Sequence, residues 1–190
     1  TALQCTVSKL LSAYEETGQL DDQVPITERR LPFRPIVFGG DDVTCVTDGR
    51  LGLTLAAIYL QALVNQSPNL YDKQPLYSRA GVAIVKTHYP FSRAYQLAED
   101  LAQTAKSALQ HPKDTALDWH YSTSGAIREL DEIRQWEYTS RQGHSLLMRP
   151  VRIGAAQEVG WQSWETFLRL TTAFNEDPNW AGRRNKVKAL

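Results

Sequence analysis

The sequence predicts an α+β domain in which helices lie on one face of a mostly antiparallel sheet. Three observations carry that expectation. Segments with helical spacing of apolar residues alternate with short β-rich runs. Two of those runs are separated only by Gly39-Gly40-Asp41-Asp42, residue types that tolerate the positive φ of a tight hairpin turn. The chain has 190 residues, 42% of them apolar and 22% charged, which suits one domain able to bury a real core.

Taken in order, residues 2–17 repeat Leu3, Val7, Leu10, Leu11 and Tyr14 at helical spacing, and the polar stretch 18–31, with Pro25, reads as a loop. Residues 34–38 and 43–47 form the hairpin strands. Residues 51–65 are apolar on most sides, so this helix is expected to be largely buried. A proline-containing loop (67–76) leads to a buried strand at 78–85. Pro90 breaks the chain again, and Ser92 is placed to cap the next helix. On that helix Ala94, Leu97, Ala98, Leu101, Ala105 and Ala108 make a narrow stripe of small residues, suited to close packing on a sheet. Residues 117–121 read as an edge strand, 126–137 as a short charged helix and 145–150 as a strand ended by Pro150. Trp161, Trp164, Phe167, Leu168 and Phe174 mark the apolar face of a final helix. The order helix, hairpin, helix, strand is that of a ferredoxin-like core without its first strand. Residues 1–124 would form this core and 125–190 a C-terminal helical extension packed on it.

Formal net charge is zero, so no whole-molecule field argues for nucleic acid or membrane. The basic run Arg183-Arg184-Asn185-Lys186-Val187-Lys188 reads as a solvated tail. Cys5 and Cys45 are too few for a disulfide framework or a metal site, and they fit a reducing cytoplasm; Cys45 reads as a small core residue. No stretch reaches the length of a membrane span, and no signal-peptide pattern is visible. His88, His111, His120 and His144 have no metal-ligand spacing and read as surface or capping residues.

The chemistry concentrates at the hairpin tip. Asp41 and Asp42 are adjacent carboxylates, which repel each other unless a cation lies between them. Mg²⁺ prefers such oxygens together with substrate phosphates, and paired metals clamp an in-line displacement. Gly39 and Gly40 leave room for a triphosphate to approach the backbone.

Gly39-Gly40-Asp41-Asp42-Val43 between two strands resembles the GGDD hairpin of the palm polymerase/cyclase domain in the large subunit of type III CRISPR effector complexes, or in a stand-alone minimal CRISPR polymerase. Ala80-Gly81-Val82-Ala83-Ile84-Val85-Lys86 with Tyr89-Pro90 is similar to the strand and turn that follow. Leu97-Ala98-Glu99 through Ala105-Lys106 resembles the next helix, whose Ala-Lys pair is shared with GGDEF diguanylate cyclases. Leu147-Met148-Arg149-Pro150 resembles a later Arg-Pro strand. The similarity covers about residues 33–153 and continues more loosely beyond.

The resemblance implies a ferredoxin-like palm of the GGDEF/nucleotidyl cyclase kind, located in the cytoplasm. Such a domain joins ATP into a cyclic oligonucleotide or dinucleotide messenger of antiviral defence. Asp41 and Asp42 would hold Mg²⁺ or Mn²⁺, Gly39 and Gly40 would lie under the nucleotide, and Lys106 would meet the triphosphate. Lys86 and Ser78 are weaker candidates of the same kind. Ring synthesis implies two nucleotide sites face to face, hence a homodimer, a second palm or other effector subunits, with RNA a possible further partner and no membrane. In this family a first strand ahead of the first helix supplies another metal-binding acid. Here the chain opens at Thr1 with that helix, so a missing strand is expected in front of it. Asp48 is no substitute, lying about 20 Å from Asp42 along an extended strand. The competing reading is a nucleotide-binding or scaffolding palm that no longer catalyses. A diguanylate cyclase fits worse, because Val43 stands where that family has an acid.

Overall fold

The fold is seen in a computed structural model that describes residues 2–17, 31–39, 41–69, 75–108, 114–122, 129–154 and 162–180. Helix α1 (Ala2–Thr17) packs on α2 (Gly52–Gln66), with Ala2 and Thr6 buried. Strands β1 (Phe33–Gly39) and β2 (Asp42–Thr47) form an antiparallel hairpin in which Gly39 pairs with Asp42 across a two-residue loop. The register slips between Pro35 and Val37. Proline has no N–H to give to a ladder, and a bulge on an outer strand accommodates it.

After β2 the chain turns sharply. The Asp48 carboxylate accepts from the Arg50 backbone N–H at 3.0 Å and from its guanidinium Nε and Nη2 at 2.9 and 2.8 Å. Those bonds hold the Asp48 carboxyl at a pKa of about 2. Helix α2 then starts at Gly52, where a Cβ would stand 3.2 Å from Val82 and 3.8 Å from Thr47. Gly49 lies as close to Ile84. The C-terminal ends of β2 and β3 (Arg79–Ile84) therefore finish side by side.

The second sheet has the order β3-β4-β5. Strand β4 (Ala116–Tyr121) runs parallel to β3, from Arg79↔Ala116 to Ile84↔Tyr121, and antiparallel to the short β5 (Val151–Arg152). A parallel neighbour needs a crossover, and α3 (Phe91–Ala108) supplies it. The small residues of α3 explain its seat. A Cβ on Gly81 would lie 2.0 Å from the Ala98 carbonyl oxygen and 2.7 Å from the Ala102 nitrogen, so helix and strand touch backbone to backbone. Leu101 and Ala105 are fully buried there, Ala105 against Ala116.

The opposite face carries the main core, in which Ala57 and Leu60 of α2 meet Leu117, Trp119, Val151 and Ile153. Helix α5 (Trp164–Glu176), capped by Ser163, adds Trp164 and Phe167, whose rings stack 5.3 Å apart, with Phe167 5.0 Å from Trp119. Full burial of a side chain such as Leu60 or Leu117 contributes about 1.5–3 kcal/mol. The short α4 (Leu130–Glu137) turns Leu130 and Ile133 inward.

The α+β class holds, with differences of detail. Helices cover both faces of the β3-β4-β5 sheet, because β3-α3-β4 is a parallel crossover and α2 already occupies the first face. Residues 117–121 lie in the middle strand of the sheet, where an edge was expected: β3 pairs along all of them, whereas the two-residue β5 covers only Ala116 and Leu117. Strand β5 begins after Pro150, which ended the expected strand. Helix α3 starts at Phe91, so Ser92 sits inside its first turn. Cys45 is half-buried, and burial raises its thiol pKa. Both cysteines are free. His120 is buried, whereas His88 and His144 are exposed. Gly40, His111, Trp161 and the basic run 183–188 lie outside the described residues. Among the described residues no helix is long and apolar enough to cross a membrane.

Candidate functional site

Hairpin formation puts Asp41 in the turn and Asp42 at the first position of β2, both exposed. Neither has an ion-pair partner among the described residues. A Cβ built on Gly39 meets nothing within 4 Å, so the space over that backbone is open. Two exposed, adjacent carboxylates beside an open backbone suit a hydrated divalent cation carrying phosphate oxygens. They are not a complete protein cage, since among the described residues no three His, Cys, Asp or Glu side chains gather.

Lys106 is exposed in the last turn of α3. Its neighbour Ala105 packs on Ala116 at the start of β4, so Lys106 lies toward the end of the sheet where β3 and β4 begin. Among the described residues no ion pair joins Asp41, Asp42 and Lys106. Ser78 is at that end too, its carbonyl accepting from the Ala116 N–H at 3.0 Å. Lys86 lies beyond the far end of β3 and is exposed. Asp48 is held locally by Arg50.

A charged cluster escaped the sequence reading. Asp118, fully buried in β4, accepts from Arg134 Nη2 at 2.6 Å through Oδ2 and from the Trp119 N–H at 2.8 Å through Oδ1. Arg149 Nε stands 3.8 Å from Oδ1, with its guanidinium 4.4 Å from the Tyr138 ring centre and 5.8 Å from that of Trp119. Burial pushes the Asp118 carboxyl pKa up, opposed by the Arg134 bond and both guanidinium charges. Burial and the Arg149 charge push the His120 imidazole down. The available signal was the alternation in Leu117-Asp118-Trp119-His120, which sends Asp118 and His120 to one face together.

Removing one partner of a buried ion pair leaves the others uncompensated and costs about 3–5 kcal/mol. Asp118→Ala is therefore expected to lower the urea midpoint sharply, whereas Asp48→Ala, on the exposed turn, changes it little. Equal effects in equilibrium unfolding would contradict the burial of this pair.

No protein-family model matches the chain, and no curated protein matches it in sequence.

Proposed function

We propose that this chain is a palm-type nucleotidyltransferase that converts ATP into a cyclic oligonucleotide or dinucleotide. The observation that carries the reading is the pair of exposed, adjacent carboxylates at the hairpin tip, without an ion-pair partner among the described residues. Asp41 and Asp42 would hold Mg²⁺ or Mn²⁺, which supplies charge neutralisation at the phosphates. Gly39 leaves the approach open, and Lys106, as a compact ammonium, would meet triphosphate oxygens. Ring closure needs one nucleotide's hydroxyl aligned with another's α-phosphate, an orientation worth on the order of 7–11 kcal/mol in favourable intramolecular cases. One hairpin tip presents one triphosphate, so the active species pairs two sites, in a homodimer or with a second palm.

A second reading, a nucleotide-binding or scaffolding palm without catalysis, is favoured by the lack of a third acid among the described residues. Incubation with each NTP and Mg²⁺ or Mn²⁺, with products read by mass spectrometry across a protein concentration series, separates the two. Cyclic adenylate products whose specific activity rises with the dimer fraction are expected. Nucleotide binding without product selects the scaffold, product from GTP alone points to diguanylate-type chemistry, and no nucleotide binding overturns both readings.

A further inference from the structure

We infer that the buried cluster around Arg149 is a binding site for one small inorganic anion of halide size, held by Arg134, Arg149 and His120.

The hydrogen-bond balance carries the inference. Asp118 has given one oxygen to Arg134 and the other to the Trp119 N–H. Arg149 Nε and Nη2, Arg134 Nε and His120 Nδ1 are all shut away from solvent, without a hydrogen-bond partner among the described residues. The 3.8 Å from Arg149 Nε to Asp118 is an ion-pair distance and too long for a hydrogen bond. Guanidinium groups stay protonated in proteins, so two positive charges face one carboxylate. Glu137, the acid on the same helix as Arg134, is exposed and pairs with neither arginine among the described residues. The Tyr138 and Trp119 rings offset part of the Arg149 charge through their faces, but they offer no acceptor to N–H groups in the guanidinium plane.

Buried unpaired donors cost about 1–3 kcal/mol each, and more when charged. A water molecule would fill at most two of them and leave the excess charge in place. A halide accepts from several donors without directional demands and cancels that charge. The small size follows from the burial of these nitrogens: a monatomic anion asks for the least space beside them. His120 joins as a neutral donor through Nδ1–H and adds no charge of its own, with the Glu137 carboxylate acting on it from outside the cluster.

Two measurements on the full chain test the site. Urea unfolding is followed while sodium gluconate is exchanged for sodium chloride at constant ionic strength. The midpoint is expected to rise and then saturate with chloride. This dependence should be lost in Arg149→Met and kept in Arg50→Met, whose arginine pairs on the surface with Asp48. Crystals grown in sodium bromide should show an anomalous peak within hydrogen-bond reach of Arg149 Nη2 and His120 Nδ1. That measurement needs no variant, so it decides the question even if Arg149→Met does not fold. A midpoint indifferent to halide, or an ordered water without anomalous signal at that position, overturns the inference.

Discussion

On the proposed function, replacing Asp41 and Asp42 together by alanine is expected to abolish nucleotide cyclisation while leaving the protein folded. A bound metal contributes several kcal/mol to stabilising phosphoryl charge in the transition state, so the loss should be roughly a thousandfold or more. The fold should survive because both side chains are exposed at the turn and support no other group among the described residues. Relief of their mutual repulsion should, if anything, stabilise the protein without metal. Rates of product formation and thermal midpoints, each with and without Mn²⁺, measure both halves. In the parent chain Mn²⁺ should raise the midpoint, and in the double variant it should not. Unchanged product formation in the double variant would remove the metal from this hairpin.

Gly81→Val should be the most damaging single change in the sheet. Its Cβ would meet the Ala98 carbonyl oxygen at 2.0 Å and the Leu101 Cβ at 2.8 Å. The first of these is backbone of a helix that cannot shift alone, so α3 must lift from β3. Overpacking costs about 1–3 kcal/mol where side chains can adjust, and a backbone collision belongs at or beyond that upper end. Against a total stability of about 5–15 kcal/mol, the variant should unfold at much lower urea or accumulate insoluble. Gly39→Ala is the control, since that Cβ meets nothing within 4 Å. Near-equal midpoints for the two variants would refute the close α3–β3 contact.

These two expectations rest on features of different legibility. The hairpin and its tip could be read directly, because a turn is made by neighbouring residues and Gly and Asp act locally there. The same holds for α3, whose small residues recur at helical spacing and did seat it on a sheet. The burial of α2 followed from its nearly unbroken apolar surface. By contrast, residues 117–121 read as an edge because Asp118 and His120 interrupt an apolar run. In the structure the interruption is a buried ion cluster, completed by Arg134 and Arg149 from later in the chain.

By itself, then, the sequence determined the element types, the hairpin turn with its paired carboxylates, and which helix faces are apolar. Each depends on residues within one or two turns of one another. Only the tertiary structure decided that β3 and β4 pair in parallel, that helices cover both faces of that sheet, and that Asp118 is shared by two arginines. Those outcomes join positions such as Arg79 with Ala116 and Leu117 with Val151, distant along the chain. Pairing of that kind is selected by the packing of the whole core, and no local spacing encodes it.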